Sequence, residues 1–196
     1  MSVRQALLAL LDEQPMYGAQ LRAQFERRTG GTWPLNVGQV YQTLSRLERD
    51  GLVEAAGAAD EEGKIAYRLT QAGRAAISSW WTTPVDRAEA PRDELVIKLA
   101  LAVTMPGIDV PAVVQAQRTQ TLRQLQDLTR LKQRADERED LAWLLVLDHL
   151  VFASEAEVRW LDHVEAKLIR SRGRVTPPAP EVFAADDAPA ASEAGR

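Results

Sequence analysis

The chain has 196 residues, 45% of them hydrophobic, which is enough for one large or two small packed domains. It has no cysteine, which excludes a disulfide framework, a thiol nucleophile and a Cys-ligated zinc site and fits a reducing cytoplasm. The formal net charge is −4, but residues 1–83 hold nine Lys or Arg and nine Asp or Glu, so the acidity lies further along. We expect a cytoplasmic protein without a membrane partner, because we find no signal peptide and no bilayer-spanning apolar run.

The first 30 residues predict two short helices, over 2–12 and 17–28. Apolar residues recur at helical spacing in both segments. Pro15 separates the two helices, and the pair Gly30-Gly31 stops the second.

A third helix is predicted to begin at Asn36, a strong N-cap residue with Gln39 in the position of a capping-box partner. Gly51 suits the left-handed position that follows a helix. Apolar residues at i, i+4 and i+7 form the predicted buried stripe: Val40, Leu44 and Leu47.

Two short strands are predicted next, over 52–55 and 64–69, on either side of an acidic turn. Thr70 then caps a fourth helix. Helices followed by a hairpin and a further helix are the layout of a winged helix-turn-helix. Such a fold places the second helix of its helix-turn-helix, here the third helix of the chain, in the major groove of DNA. We therefore predict a mainly α fold in which residues 1–83 form a DNA-binding winged helix-turn-helix with a two-stranded wing.

The rest of the chain is predicted to be helical, over about 91–103, 111–138 and 141–171. The last helix carries a heptad seam with two polar members, Ser154 and Glu165. We interpret residues 91–172 as an all-helical dimerisation and effector domain, and a helical bundle within one subunit is the alternative. The seam residues predicted to dimerise are Leu144, Leu147, Val151, Val158 and Leu161.

Residues 173–196 are rich in Pro, Ala, Gly and acids. This composition predicts a disordered tail.

The side of the third helix opposite its apolar stripe carries residues that can read bases. Gln bonds bidentately to adenine and Arg to guanine, and Ser is permissive. The residues predicted to read bases are Gln39, Gln42, Ser45 and Arg46. Those predicted to hold the DNA backbone are Tyr17, Tyr41, Arg49 and Lys64. Alternatively, this is the solvated face of an ordinary amphipathic helix, and Lys64 is a solvated turn lysine.

Other chemistry is sparse. His149 and His163 lie about 21 Å apart along the last helix at about 1.5 Å per residue, too far to share a metal ion within one chain. We predict surface or interface packing for both, and no metal or cofactor. Trp80, Trp143 and Trp160 are candidates for lining an effector pocket, with core and interface anchoring as the alternative. No phosphate loop or nucleophile motif is present, so we predict that the protein is not an enzyme.

Three segments resemble the PadR family of transcriptional regulators: LLALLDEQPMYGAQL (7–21), GQVYQTLSRLERDGLV (38–53) and YRLTQAGRAAI (67–77). A fourth, DELVIKLAL (93–101), is similar to the first C-terminal helix of the larger PadR subfamily. The resemblance implies a homodimer joined by its C-terminal helices. It also implies a repressor that binds a pseudo-palindromic operator, with half-sites about 34–36 Å apart, and releases it when a small molecule binds. By position it implies that Tyr17 and Tyr41 contact the DNA backbone.

Two departures from the family pattern change the expected contacts. Gln42 stands where many members have proline, which adds a base-reading group. Lys64-Ile65-Ala66 stands where many have several arginines, and the acidic run Asp60-Glu61-Glu62 precedes it. These changes shift the predicted specificity from the wing to the third helix. A winged-helix protein-interaction module without DNA binding stays open as an alternative, and so does a transcriptional activator.

Overall fold

The computed structural model describes residues 3–59, 63–85, 92–136 and 138–171. The predicted mainly α fold, with an N-terminal winged helix and a helical C-terminal part, is confirmed. We call α1–α4 with the β-sheet the head, and α5–α7 the arm. The elements in chain order are α1 (Val3–Glu13), β1 (Met16–Tyr17), α2 (Gly18–Arg28), α3 (Val37–Arg49), β2 (Val53–Ala55), β3 (Ala66–Leu69), α4 (Gln71–Thr82), α5 (Glu94–Ala102), α6 (Val110–Lys132) and α7 (Leu141–Ser171).

The wing belongs to a three-stranded sheet, whereas the sequence predicted two strands. β1 pairs with β3, with Met16 opposite Tyr67, and β2 pairs with β3 on its other side; both pairings are antiparallel. Two residues are too few to show the alternation that marks a strand, which is why β1 escaped the sequence analysis. Its pairing fixes the start of α2 against the wing.

The ends of α3 are set by local hydrogen bonds. The Asn36 side chain accepts the backbone N–H of Gly38 at 2.7 Å, rather than that of Gln39 as the predicted capping box requires. At the other end, the N–H groups of Gly51 and Leu52 donate to the carbonyls of Glu48 and Leu47, both at 2.9 Å. Gly51 has φ 70°, as predicted for the residue that closes such a helix end.

The head has one continuous apolar core, to which its helices and its sheet all contribute. Val40, Leu44 and Leu47 of α3 are fully buried in it, as predicted. Phe25 and Trp80 pack partly against it. The core consists of Leu7, Leu8, Leu10, Leu11, Met16, Leu21, Leu35, Val40, Leu44, Leu47, Val53, Leu69 and Ile77.

In the arm, α6 and α7 pack antiparallel and are joined by polar contacts. Gln117 donates to Glu157 at 2.9 Å, and Lys132 pairs with Asp148 further along. α6 ends at Lys132 rather than near the predicted 138. The Asp136 side chain there accepts the N–H of Arg138 at 2.7 Å, a local bond that competes with helix continuation.

The seam predicted for dimerisation faces α6 of the same protomer. Leu144 and Leu147 pack with Leu128, and Leu161 packs with Val114. Val151 and Val158 are half-buried. These contacts already fill the seam within one chain, as in the alternative of a bundle within one subunit. The outer face of α7 is exposed instead and carries Leu141, Leu145 and Phe152.

Several predicted features lie outside the described residues: the acidic turn at 60–62, most of the segment between the two domains at 86–91, and the tail at 173–196. Among the helices in the described ranges, none has the length and apolarity needed to cross a membrane.

Candidate nucleic-acid interface

α3 turns its polar side away from the head core. The residues predicted on this helix to contact DNA are all exposed: Gln39, Tyr41, Gln42, Ser45, Arg46 and Arg49. Because the opposite stripe of α3 is fully buried, the orientation of this helix in the head is fixed. The side chains that can read bases therefore face outward together.

Three of these residues share one shallow depression in the surface. Gln39, Gln42 and Arg46 are spaced by three and four positions, which places them along one side of the helix. They line a depression of about 330 Å³ together with Thr43 of the same helix and with Val3 and Arg4 of α1. Tyr41, Ser45 and Arg49 lie outside this depression, on the other parts of the exposed surface.

Arg4 is a residue that the sequence analysis missed. It belongs to α1, 35 or more positions before the α3 residues beside it, so no local pattern joins them. Its Nη1 donates to Asp50 Oδ2 at 2.7 Å, and Asp50 is the C-cap residue of α3. Arg49 lies 3.4 Å from the other carboxylate oxygen. The hydrogen bond from Arg4 is the main cause that lowers the pKa of Asp50, so this carboxylate stays charged between two arginines.

Tyr41 lies across the start of α2. A Cβ atom added to Gly18 would come within 2.9 Å of the Tyr41 ring, so the ring would have to shift to make room for it. Tyr17 is the N-cap residue of α2, and its backbone N–H donates to the Gln20 side chain at 2.9 Å. The two tyrosines predicted to hold the DNA backbone therefore both lie at the N-terminal end of α2.

The wing contributes little positive charge among its described residues. Arg68 of β3 donates to Glu54 of β2 at 2.9 Å, directly across the strand pair. Lys64 is exposed and follows Gly63. Lys64 does not line the depression beside α3. Tyr67, on β3, has its pKa raised chiefly by burial and then by the charges of Glu48 and Tyr41.

The three tryptophans proposed for an effector pocket lie in three different places. Trp80 packs against the head core, and Trp160 packs among α5, α6 and α7. Trp143 lies where the arm meets the head: a Cβ added to Gly30 would come within 2.2 Å of its ring. The structure does not bring the three together, because each one packs in a separate cluster.

A second cleft of about 330 Å³ lies at this junction and was not foreseen from the sequence. It is lined by Arg27 and Arg28 of α2, Glu139 and Asp140 before α7, and Ala142 and Trp143 of α7. Arg28 donates to both carboxylate oxygens of Glu13, at 2.6 and 2.7 Å. This pair lowers the pKa of Glu13 and raises that of Arg28. The cleft therefore combines an aromatic ring with charges of both signs.

His149 and His163 are both exposed on α7. In the part of the chain that the structure describes, no group of three or more His, Asp and Glu residues could hold a metal ion. Nothing in the described arrangement gives either histidine a ligand-binding role.

Comparisons with known proteins identify both halves of the chain. Residues 7–79 match the Transcriptional regulator PadR-like family, and residues 91–168 match the Virulence activator alpha C-term domain. A probable transcriptional regulator of Mycobacterium tuberculosis, Rv1176c, is 28% identical over 189 residues, covering 88% of this chain and all of that protein.

Solved structures show the same fold. Bacillus subtilis PadR in complex with operator DNA has a TM-score of 0.63 and 20% identity, over 84% of this chain and 97% of that one. The same protein in complex with p-coumaric acid has a TM-score of 0.67 and 20% identity, over 86% of this chain and 99% of that one. The Vibrio cholerae virulence activator AphA has a TM-score of 0.61 and 21% identity, over 85% of this chain and 98% of that one. The chain therefore carries a PadR-like transcriptional-regulator domain as its winged-helix head, with a helical C-terminal domain behind it.

Proposed function

We propose that this protein is a dimeric, ligand-responsive repressor that works in the cytoplasm and binds a pseudo-palindromic DNA operator. Residues 1–83 bind DNA, residues 91–172 dimerise and sense an effector, and residues 173–196 form a tail. The observation that carries the proposal is the outward face of α3, where Gln39, Gln42 and Arg46 line one depression. That the related Bacillus subtilis PadR was solved with operator DNA supports it.

The roles divide by position on α3 and its neighbours. The N-terminal residues of a recognition helix reach base edges, so Gln39 and Gln42 read bases, with Ser45 and Arg46 beside them. Backbone contacts fix the register without reading sequence. The residues that make them are Tyr17, Tyr41, Arg49 and Lys64.

Dimerisation uses the exposed apolar surface of the arm. Leu145 and Phe152 on α7 are 63% and 65% exposed, and Leu101 on α5 is 55% exposed. Burying such side chains against a second chain is favourable by about 25 cal/mol per Å² of apolar area. The inward seam of Leu144, Leu147 and Leu161 supports the dimer indirectly, because it holds α6 and α7 together behind that surface.

The effector site is the cleft between head and arm. It offers the Trp143 ring and the Arg27 and Arg28 guanidinium groups, which suit a small aromatic molecule with a polar or anionic group. Bacillus subtilis PadR was solved with p-coumaric acid, a molecule of this kind. A ligand that favours a different head position would bias the dimer off its operator.

Titration onto duplexes from the region upstream of its own gene, at several salt concentrations, tests this function. We expect sequence preference, with log affinity falling linearly against log salt concentration. Arg46→Ala should weaken binding to the operator by about 1–3 kcal/mol. It should weaken binding to a scrambled duplex less, because a residue that reads bases contributes to the preference for the operator sequence.

An equal loss of affinity for both duplexes would indicate that Arg46 contacts the DNA backbone and not a base. Absence of salt-dependent binding to any duplex would favour the protein-interaction module, for which the Arg68–Glu54 pair in the wing argues. A reporter driven from the operator separates a repressor from an activator.

A further inference from the structure

We propose that Arg4 of α1 contacts a DNA phosphate and that Asp50 holds its side chain in place for this contact. The inference rests on the proposed DNA-binding function and extends the contact surface from α3 to a second helix. Arg4 shares one depression with Gln39, Gln42 and Arg46. A ligand that these α3 residues bind at the depression therefore also lies near Arg4.

The Arg4 side chain is oriented but still accessible. It is 40% exposed, and its hydrogen bond to Asp50 uses Nη1. An arginine carries five N–H donors, so most of its hydrogen-bonding capacity is available to a phosphate. Because the bond to Asp50 restricts the rotamers of a long side chain, less conformational entropy is lost when the phosphate contact forms.

The charge around the depression favours an anion. Its lining residues include two arginines and no carboxylate. Among the described residues, Asp50 at the edge is the one acid that pairs with Arg4 and Arg49, so these two arginines and Arg46 keep an excess of positive charge along this edge. The first turn of α1 contains no acidic residue, so the positive end of the helix dipole is not neutralised there.

The position of Arg4 points to the backbone rather than to a base. In a helix-turn-helix, the N-terminal residues of the recognition helix enter the major groove and reach the base edges. Arg4 is tied to Asp50, at the opposite, C-terminal end of α3. In that docking mode, the C-terminal end of the recognition helix lies toward the groove edge, where the phosphates run.

A purely structural role for Arg4, as a bridge between α1 and α3, makes a different prediction. A bridge contributes to folding and is lost equally when either partner is changed. A phosphate contact contributes to the salt dependence of DNA binding, because each neutralised phosphate releases counterions. The salt slope therefore separates the two roles.

The experiment measures the affinity for the operator and for a scrambled duplex between about 0.05 and 0.3 M salt. Over this range the affinity falls steeply with salt concentration because of counterion release. The variants are Arg4→Ala, Arg4→Lys, Asp50→Asn and Arg130→Ala. Arg130 is the matched control, since it is also an exposed arginine paired with a carboxylate, but lies on α6 of the arm. Thermal unfolding of each variant reports its folding separately.

We expect Arg4→Ala to reduce the magnitude of the slope of log affinity against log salt by about 0.9 for each phosphate that is no longer neutralised. It should also weaken binding to both duplexes by about tenfold near 0.1 M salt. Arg4→Lys should keep the slope, because it retains the charge, and Arg130→Ala should leave it unchanged. Asp50→Asn should weaken binding to both duplexes, because the Arg4 side chain is then no longer held in place; unchanged binding would remove the positioning role of Asp50.

If Arg4→Ala keeps the wild-type slope, or if Arg130→Ala lowers it as much, the proposed role of Arg4 is wrong while the DNA-binding function stands. If the wild-type protein shows no salt-dependent binding to either duplex, the proposed function is overturned, and the role of Arg4 with it.

Discussion

The head and the arm differ in how completely each buries its own apolar residues. Among the described residues, the head has thirteen buried apolar residues in one cluster, whereas the arm has clusters of five and three. The arm also leaves large side chains such as Leu101, Leu145 and Phe152 exposed. The head therefore closes its core within one chain, and the apolar surface of the arm suits association with another.

The head core should be the most sensitive part of the molecule to truncation. Leu44 has no exposed surface and packs in the middle of the cluster. Leu44→Ala should lower the free energy of unfolding of the head by about 2–5 kcal/mol, because apolar burial is reduced and a cavity is left behind. Chemical denaturation followed by circular dichroism measures it, at two protein concentrations.

Leu145→Ala is the matched control, because it removes the same atoms from a side chain that is 63% exposed in the protomer. Its effect should depend on protein concentration, whereas that of Leu44→Ala should not. Equal, concentration-independent losses would remove the distinction between a closed head and an open arm.

Two adjacent glycines test how firmly the head and the arm are joined. Gly30 and Gly31 have φ of 59° and 70°, so an alanine at either position is strained by about 1–2 kcal/mol. Only at Gly30 would the added Cβ also meet the Trp143 ring, whereas nothing lies within 4 Å at Gly31. Gly30→Ala should therefore lower the unfolding free energy by about 1–3 kcal/mol more than Gly31→Ala, as expected for overpacking.

The comparison is internally controlled, because both variants carry the same backbone strain. Adding Trp143→Ala should remove most of the difference between the two glycine variants. Identical losses in Gly30→Ala and Gly31→Ala would mean that the Trp143 contact contributes nothing to the position of the head.

The head could be predicted from the sequence because its signals are local. Asn36 and Gly51 mark the ends of α3, and the apolar stripe between them fixes which side faces outward. Where the signal was too short, as for the two residues of β1, the prediction missed an element. Where it came from a distant part of the chain, as for Arg4 beside α3, no sequence pattern could reveal it.

The arm shows a different limit. A heptad seam indicates that a helix packs against another helix, but it does not say whether that helix belongs to the same chain. The seam of α7 was assigned to a second chain, and Leu144, Leu147 and Leu161 instead pack within the protomer. The tryptophans show the same limit, since aromatic residues predict burial and not a shared location.

The outer face of α7 gives the third test. Phe152 is 65% exposed, and its burial against a second chain would make it a central contact. Phe152→Ala should weaken self-association by about 1–2 kcal/mol, within the range of well-buried interface residues. Sedimentation equilibrium measures the dissociation constant, and the head should unfold as before. A wild-type protein that stays monomeric at all concentrations would contradict the dimer, and an unchanged constant would place the interface on another surface.

The smallest expected effect concerns acid at the junction between head and arm. Arg28 lowers the pKa of Glu13 below its usual 4.5, so the charged carboxylate is stabilised in the folded state. Such a group stabilises the fold above its unfolded pKa, and this contribution is lost as the pH falls through the folded value. Since both side chains are about half exposed, the pair contributes less than about 1 kcal/mol. Glu13→Gln should therefore be slightly less stable than wild type at neutral pH and equally stable well below pH 4.5, the usual pKa.

Glu165, whose pKa is lowered by Arg118 in the arm, supplies the comparison: Glu165→Gln should converge with wild type in the same acidic range without changing the junction. The part of the fluorescence that is lost in Trp143→Ala reports on Trp143. If that part responded to acid equally in Glu13→Gln and Glu165→Gln, the Glu13–Arg28 pair would have no special part in joining head to arm.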